Sequence, residues 1–336
     1  MDGALSPHAG EAAAGRAEGA DRWVLRPIRL AFRLGPLTLL RQQLRFGVLD
    51  AHFTTLGTDL DAVRPPFAAW EKDVAGALVM NQPVPPGAPL ARVTFLPGVI
   101  RYVPARLVNY YTSLSGTFEE LLGKNLNAKS RTKLRAYVKK VAERSGGTAD
   151  LRAYGTPEEM AEFFAHARAV AAKTYQEKLN AGALPSDAEF QAEMRSAAAR
   201  GKVRGYILFV GGAPAAYLYC PIQDRAIIYE HIGYDPAFRD LSPGTVLQYL
   251  VLERLFREQE LAVFDLTEGE GLHKERYATG SVECAHVYFF RRNAGNYCRV
   301  LAHAALLALT RGTGALLGRL RVRDRVRKLV RGQRGE

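Results

Sequence analysis

The order of helix-like and strand-like segments in residues 156–292 is the feature that most constrains the fold of this chain. Two segments begin with residues that cap helices, Thr156-Pro157-Glu158-Glu159 and Ser186-Asp187-Ala188-Glu189. Three strand-like runs separated by turn residues follow, and their short connections favour antiparallel pairing. A third helix begins at Ser242-Pro243-Gly244-Thr245, and two more strand-like runs come after it. This order predicts a mixed α/β domain that contains an antiparallel sheet.

The first half of the chain has a similar mixture of helix and strand. A capping box at Thr117-Phe118-Glu119-Glu120 predicts a helix that ends at Gly146-Gly147. We predict four segments: a disordered tail at 1–21, a first domain at 22–155, a second domain at 156–292 and a basic helical tail at 293–336. The predicted strands are 92–96, 99–103, 106–112, 151–154, 206–210, 215–220, 226–234, 262–266 and 282–290.

The composition is that of a globular chain in a reducing compartment. Hydrophobic residues make up 48% of the 336 positions, which is enough for a sizeable core in two packed domains. The three cysteines, Cys220, Cys284 and Cys298, lack the spacing of a zinc site or a disulfide framework. The N-terminus has acidic residues and no continuous apolar stretch, unlike a secretory signal. We expect a cytoplasmic protein without a metal site.

Positive charge is concentrated in three helix-like segments. The net charge is +12, and the basic segments are 22–49, 121–145 and 319–336. Such segments favour anionic partners at the surface, although solvated helix faces are the alternative. Residues 22–49 interleave arginine with apolar residues around Pro27 and Gly35-Pro36, as a kinked amphipathic segment on an anionic membrane would. Ordinary packing against the protein body would explain the same pattern.

The C-terminal tail has the same basic and apolar character. The apolar run 301–309 is too short to span a bilayer. Residues 316–330 interleave basic residues with leucine and valine, which is typical of a helix lying on anionic lipid and equally of a nucleic-acid contact. Because both ends of the chain share this character, we favour a peripheral position on the inner face of a membrane.

Several short motifs occur in a family-like order. They are Ser130-Arg131-Thr132-Lys133-Leu134-Arg135, Tyr234-Asp235-Pro236, Leu241-Ser242-Pro243-Gly244-Thr245, Phe264-Asp265-Leu266, Gly269-Glu270 and His273-Lys274-Glu275-Arg276-Tyr277. In this order the sequence resembles the GNAT acyltransferases, and more closely the bacterial group of Fem-type aminoacyltransferases and cellulose-synthesis-associated acetyltransferases. The resemblance covers residues 119–292. It implies two tandem GNAT-like domains, of which the N-terminal one is degenerate.

The resemblance implies that acyl-CoA is the donor and that its phosphates lie at the helix beginning at Ser242. The free N–H groups at a helix N-terminus and the helix dipole favour an anion. The candidate binding residues are Arg239, Ser242, Gly244 and Thr245. GNAT enzymes have a longer glycine-bearing loop here, whereas this chain has one glycine. A proline at the first helical position is equally typical of a structural cap.

Acyl transfer to an amine also needs a general base and an acid. Glu230 and His231 are adjacent on the predicted strand 226–234, where alternation would point them to opposite faces. One of the two is the candidate base; a structural core histidine is the alternative. Tyr234 and Tyr277 are candidate acids for the leaving thiolate.

Carboxylates follow the next strand. Asp265 lies at its end and Glu270 in the turn beyond it, where either would orient the acceptor amine. Lys274 would stabilise the thioester oxyanion. A structural salt bridge between Asp265 and Lys274 is the alternative.

The leading hypothesis is N-acyl transfer from acyl-CoA to an amine of a lipid, sugar or envelope precursor, such as a sphingoid base in a ceramide synthase-like reaction. A Fem-like transferase that uses aminoacyl-tRNA is the first alternative, with the basic helix of residues 124–144 as the RNA contact. A GNAT-fold scaffold at a membrane surface, without catalysis, is the second.

Overall fold

The structure is a computed structural model that describes residues 22–35, 37–87, 89–174, 184–269 and 271–319. Its strands are β1 (Trp23–Leu34), β2 (Leu37–Leu49), β3 (Gly76–Pro83), β4 (Val93–Leu96), β5 (Val99–Tyr102), β6 (Arg106–Ser113), β7 (Asp150–Tyr154), β8 (Val203–Val210), β9 (Ala213–Gln223), β10 (Ala226–Ile228), β11 (His231–Tyr234), β12 (Val263–Glu268) and β13 (Gly280–Arg291). Its α-helices are α1 (Phe118–Asn125), α2 (Ala128–Arg144), α3 (Pro157–Ala171), α4 (Ala188–Ala199), α5 (Pro243–Glu258), α6 (Leu272–Tyr277) and α7 (Ala294–Arg319). The predicted mixed α/β class is confirmed.

The chain divides into two compact units at positions that differ from the predicted boundaries. The first unit contains the residues up to 106 and from 284 onward, and the second contains 107–283. The second unit begins well before residue 156 because β6 pairs with β12 and β7 pairs with β8. The C-terminal helix is likewise part of the first unit, since α7 packs against β1. Strand pairing between distant segments, which local sequence does not encode, determines both differences.

The first unit is a sheet in the order β1-β2-β3-β13-β5-β4. Alternate residues of its strands face two apolar clusters, as the two-residue period of a strand requires. Ala77 and Val79 of β3 face one cluster, whereas Leu78 between them faces the other. The helix α7 contributes Val300 to this second cluster.

Residues 22–49 form a β-hairpin, and the helix-like prediction for them is wrong. Strands β1 and β2 pair along their whole length from Trp23↔Leu49 to Leu34↔Leu37. Apolar residues at every second position from Ile28 to Leu34 have strand periodicity, and Gly35 takes the positive φ of a turn. Pro27 is tolerated because β1 is an edge strand, where a missing N–H leaves no partner unbonded.

The predicted basic helical tail is confirmed as a helix as far as Arg319, where α7 ends. Its side chains contact the β1–β2 hairpin through the rings of His303 and Phe32, 5.3 Å apart. Residues 320–336, which carry most of the predicted basic tail, lie outside the described residues, and so does the predicted disordered tail at 1–21. Within the described ranges, the helices lack the combination of length and hydropathy needed to cross a bilayer.

The second unit is a sheet in the order β6-β12-β10-β9-β8-β7, with β11 also paired to β9. Helices cover both faces. Leu218 and Cys220 of β9 join the cluster that contains residues of α1, α2 and α5, whereas Tyr217 and Tyr219 join the cluster of α3 and α4. The helix starts follow prediction, with complete capping boxes at Thr117 and Thr156. The predicted single helix after Thr117 is two helices, because Asn127 starts α2 with its own side-chain cap.

Candidate active site

The parallel strands β10 and β12 separate in the middle of the second unit. They pair from Ala226↔Val263 to Ile228↔Asp265, and the N–H of Tyr229 donates to the Asp265 carbonyl at 2.9 Å. Beyond that bond, β11 pairs with β9, whereas β12 turns towards β6. The predicted strand 226–234 is therefore two strands, and a gap opens between β11 and β12 at Tyr229 and Asp265.

The side chain of Asp265 explains where the gap begins. Its Oδ1 accepts a hydrogen bond from the Thr267 N–H at 2.7 Å, and Thr267 has a φ of +64°. The register between β12 and β6 shifts at this point. A left-handed, β-branched residue is unfavourable by about 1–2 kcal/mol, so it needs a local bond of this kind. Asp265 thus builds the bulge by which β12 leaves β10.

We predict different effects for two substitutions of Asp265. Asp265→Ala should lower the free energy of unfolding by about 1–3 kcal/mol and strongly reduce turnover, because the buried Thr267 N–H loses its acceptor. Asp265→Asn keeps an acceptor oxygen and should retain most of both. Chemical unfolding and steady-state kinetics of the two variants test this. If Asn is as inactive as Ala while stability is kept, the negative charge itself acts on the substrate.

Glu230 and His231 lie at the mouth of the gap. Glu230 falls in the break between β10 and β11, so the strict alternation expected for one strand does not apply to it. Its Oε1 is 3.8 Å from Nε2 of His231, and the predicted opposite orientation is wrong for this reason. The side chain of Glu230 is 45% exposed and that of His231 is 15% exposed. The structure therefore brings the two candidate bases together.

His231 and Asp265 face the same side of the sheet. His231 pairs with Tyr219, which faces the cluster of α3 and α4. The neighbours of Asp265 along β12, Phe264 and Leu266, face the opposite cluster, so Asp265 faces the side of α3 and α4. Rings surround the imidazole, with Phe190 at 6.1 Å and Tyr219 at 5.9 Å between centroids. Burial raises the pKa of Tyr219, and the Glu230 charge raises it further.

Lys274 is buried at the end of β12. Its Nζ donates to the carbonyl of Thr267 at 2.8 Å and to the carbonyl of Glu268, and it lies 5.5 Å from the ring centre of Tyr110. Burial lowers the pKa of Lys274, whereas the charges of Asp265 and Glu268 oppose this effect. These bonds use two of the three ammonium donors, and the third is available to a substrate oxygen. The predicted oxyanion role stays a prediction.

The tyrosines and Glu270 are placed less favourably for the roles expected of them. The Tyr277 hydroxyl is buried without a partner among the described residues, in the cluster that α5 covers. Burial raises its pKa, which keeps it protonated. Tyr234 is exposed at the end of β11. Glu270 lies outside the described residues.

The helix α5 begins beside the end of β11, where phosphate binding is predicted. Pro243 has no N–H, and those of Thr245 and Val246 both donate to the Ser242 carbonyl. In the first turn this leaves Gly244 as the amide best placed for a ligand. A Cβ at Gly244 would be 3.8 Å from the Tyr234 ring, an ordinary contact, so steric fit does not require glycine there. Arg239 is exposed on the preceding 3-10 helix, Pro236–Leu241.

Cationic side chains of α2 lie next to this helix start. The side chain of Ser242 hydrogen-bonds the Tyr137 hydroxyl, which together with the positive charges of Lys133 and Lys140 lowers the pKa of Tyr137. Residues 133, 137 and 140 are neighbours on one helix face. Other basic residues of α2 are ion-paired, Arg135 with Glu119 at 2.6 Å and Arg144 with Asp240 at 2.9 Å. We call Lys133, Tyr137, Lys140 and Ser242 the cationic end of the site.

Sequence reasoning assigned the α2 lysines to RNA and missed their position beside α5. The spacing of Lys133, Tyr137 and Lys140 was visible, but the sequence does not say which helix lies opposite them. Asn109 was missed altogether. It is fully buried on β6, neither atom of its amide has a partner among the described residues, and it shares a face with Tyr111, the partner of Asp265. No local motif marks it.

Asp235 fastens the loop between β11 and α5. Its Oδ1 accepts from the Ala237 N–H at 3.0 Å and its Oδ2 from Lys173 Nζ at 2.7 Å. Its backbone N–H donates to the Ala215 carbonyl. Burial raises the pKa of Asp235, but the bonds from Lys173 and Ala237 outweigh this, and the net pKa is lowered from 3.8. The carboxylate therefore holds the cationic end in place.

We predict that Asp235→Asn destabilises the protein in a pH-dependent way. A carboxylate with a lowered folded-state pKa stabilises the fold fully above its unfolded pKa of 3.8, and this is lost as pH falls through the folded value. Near neutral pH the wild type should be more stable by about 1–2 kcal/mol. Urea unfolding of both proteins between about pH 7 and pH 3 measures this difference. A difference that stays constant over this range would contradict the assignment.

Comparison with known proteins supports the fold and the family. Residues 128–277 match the family model described as an acetyltransferase (GNAT) domain. A search of curated proteins gave no match. The crystal structure of FemX is similar over 84% of this chain and 91% of its own, with a TM-score of 0.54 and 10% identity. The structure of L-PGS from Bacillus licheniformis covers 70% of this chain and 74% of its own, with a TM-score of 0.39 and 12% identity.

The family match covers the elements that build the gap. It runs from the start of α2 to the end of α6, and so includes the cationic end, both strands of the gap and Lys274. The likeness to FemX is a likeness of fold. Among the described residues, no group of three or more His, Cys, Asp and Glu side chains is arranged to hold a metal. The fold and the family match together place this chain in the GNAT superfamily, as a Fem-like member whose GNAT domain spans residues 128–277.

Proposed function

We propose that this protein transfers an acyl group from acyl-CoA to an amine. The observation that carries the proposal is a gap between two parallel strands with a base pair of side chains at one end and a cationic cluster at the other. Glu230, His231 and Asp265 lie where the strands part. The cationic end lies by the start of α5, beyond the last residue of β11.

The length of the gap fits a donor with a long arm. The four residues of β11 span about 13 Å at the usual rise of a strand. The reactive carbonyl of such a donor would lie at least that far from its phosphates. The pantetheine arm of CoA has this length and carries two amide groups. The edge of β11 that no longer faces β12 offers backbone donors and acceptors to those amides, as a sheet edge does to an extended peptide.

The proposed chemistry uses His231 as the general base. Its imidazole takes a proton from the acceptor ammonium or amine, and the nitrogen attacks the thioester carbonyl. The C–N bond forms, and the oxyanion of the tetrahedral intermediate meets backbone N–H groups at the gap and the free donor of Lys274. The C–S bond then breaks, and the thiolate recovers the proton from His231. Glu230 stabilises the imidazolium through its nearby carboxylate.

The proposed acceptor is the amine of a lipid, sugar or envelope precursor, with a sphingoid base as the specific version. The surroundings of His231 support an amphiphilic acceptor, since the rings of Phe190 and Tyr219 are apolar and Glu230 is open to water. We further propose that the protein works in the cytoplasm at the inner face of a membrane. Asn109, Asp265 and the segment containing Glu270 would orient the amine.

Two other functions remain as alternatives. Exposed lysines on α2 favour an aminoacyl-tRNA donor, whose phosphates would bind Lys133, Lys139 and Lys140. The scarcity of free amides at the start of α5 favours a scaffold without catalysis. Retention of tRNA that is lost when these lysines are neutralised would support the first. Unchanged cellular function after His231→Ala would support the second.

A thermal-shift series tests the donor. A ligand that binds only the folded state raises the melting temperature in proportion to its affinity. We expect acyl-CoAs to raise it more than free CoA, with a preference among chain lengths, and we expect pantetheine, which lacks the nucleotide phosphates, to do little. If no acyl-CoA stabilises the protein and charged tRNA does, the proposed donor is wrong.

A further inference from the structure

The tip of the β1–β2 hairpin exposes leucines that no described element covers. Strand β2 pairs with β3 only at Phe46–Val48, so the hairpin continues beyond the sheet as a two-stranded ribbon of roughly 30 Å. At its tip, Leu37, Leu39 and Leu40 are 60%, 53% and 49% exposed. A bulge beside Leu39 adds one residue to β2 here. We call these three leucines the ribbon tip.

The helix α7 fastens the ribbon along one face. Phe32 packs on His303, and Arg299 donates to Gln42 Oε1 at 2.7 Å. At the tip the Gly35 N–H donates to Thr310 Oγ1 at 3.1 Å. A two-stranded ribbon alone is marginally stable in water, so this support keeps the tip extended. The neighbouring Leu309 is 52% exposed and adds to the apolar surface.

Arginines lie behind the tip on the ribbon. Arg29, Arg33 and Arg41 are exposed, and they form no ion pair with any described residue. Arg29 and Arg33 alternate with the buried Leu30 and Phe32, so they point away from α7. The surface therefore changes from apolar at the tip to cationic behind it. Arg45, farther from the tip, differs in being paired with Glu71 and Asp73, each at 2.8 Å.

We infer that the ribbon tip inserts into an anionic lipid surface. The order of the side chains matches the depth profile of a bilayer, in which hydrocarbon lies below the phosphates. Leucines at the tip would enter the boundary of the acyl chains while the three arginines meet phosphate groups. A nucleic acid would gain nothing from exposed leucines, since single strands bind through aromatic stacking and duplexes through phosphate contacts.

This inference goes beyond acyl transfer and does not depend on it. The ribbon is in the first unit, and none of its residues belongs to the gap between β11 and β12. A variant with an inactive site, His231→Ala, should therefore bind lipid as the wild type does. Failure of lipid binding and failure of the proposed chemistry are thus separate results.

Vesicle flotation of the full-length protein tests the inference. Vesicles of phosphatidylcholine with about 30% phosphatidylglycerol should bind the wild type, whereas pure phosphatidylcholine should bind it at least about tenfold more weakly. The triple variant Leu37→Ser, Leu39→Ser, Leu40→Ser should lose most binding to anionic vesicles. The triple variant Arg29→Gln, Arg33→Gln, Arg41→Gln should lose about tenfold or more, with the remaining binding insensitive to salt.

Matched controls separate this surface from general stickiness. Met80→Ser removes an apolar side chain that is 49% exposed elsewhere in the first unit, and it should leave binding unchanged. Arg195→Gln, Arg200→Gln, Arg225→Gln removes the same charge from exposed positions of the second unit and should change binding little. Thermal unfolding shows whether each variant is folded. Wild-type binding by a folded tip variant would overturn the inference. So would an oligomer of the wild type, seen by light scattering, that the tip variant dissolves.

Discussion

His231→Ala is expected to lower the turnover number by about 10²- to 10³-fold, with little change in the melting temperature. The imidazole is only 15% exposed and has a carboxylate oxygen 3.8 Å from Nε2, which suits proton transfer more than support of the fold. Removing it leaves the amine without a base at the point where the two strands part. Steady-state kinetics with a fixed acyl-CoA and a varied amine, together with thermal unfolding, measure both effects.

The chain contains a matched control for this histidine. His166 on α3 also lies near a carboxylate, 3.6 Å from Glu162, and against a ring, 5.1 Å from that of Phe209. His166→Ala should therefore leave turnover within about twofold of wild type, since a surface pair of this kind contributes little. Glu230→Gln should cost about tenfold, as the loss of a neighbouring charge does. Equal loss in both histidine variants would remove His231 from the proposed chemistry.

Lys133→Gln with Lys140→Gln is expected to raise the KM for acyl-CoA by about 10- to 100-fold and to leave the turnover number nearly unchanged. Both charges act on Tyr137, whose hydroxyl contacts Ser242 at the start of α5. The first turn of α5 has few free amides, so these lysines must supply much of the attraction for phosphate. Kinetics at several salt concentrations measure the effect, and the salt dependence of KM should become shallower.

Lys124→Gln with Lys139→Gln is the control for this pair. It removes the same charge from α1 and α2, and Lys139 is directed to Glu143, 3.9 Å away. We expect at most about a twofold change in KM, because screened charges at a distance contribute little. If the control variant weakens the donor as much as the first pair does, a diffuse field attracts it. That result would favour a polyanion such as tRNA over a defined phosphate site.

Local signals in the sequence gave the elements of the second unit correctly. Capping residues at Thr117, Thr156 and Asp187 mark helix starts that the structure confirms, because a cap depends on residues within three or four positions. The residue types at the gap were also visible, since carboxylates and histidine are unusual beside apolar strands. Their grouping around Tyr229 and Asp265 followed from the order of elements.

Features that depend on distant neighbours were not predictable. Residues 22–49 combine arginine, proline and apolar residues in a way that suits a helix or a hairpin, and pairing with β3 decides between them. The break at Glu230 arises because Asp265 bonds Thr267 on another strand. The position of Lys133 and Lys140 depends on which helix lies beside α2, and Asn109 has no local motif. In each case tertiary contact overrides local preference.

The measurement that tests the central claim most directly is transfer itself. Purified protein is incubated with acyl-CoAs of several chain lengths and a panel of amines that includes a sphingoid base, and free thiol and N-acyl product are both quantified. We expect thiol release that requires the amine, matches the amide formed one for one, and disappears in His231→Ala. Amide formation from aminoacyl-tRNA with no acyl-CoA consumed at any chain length would contradict the account.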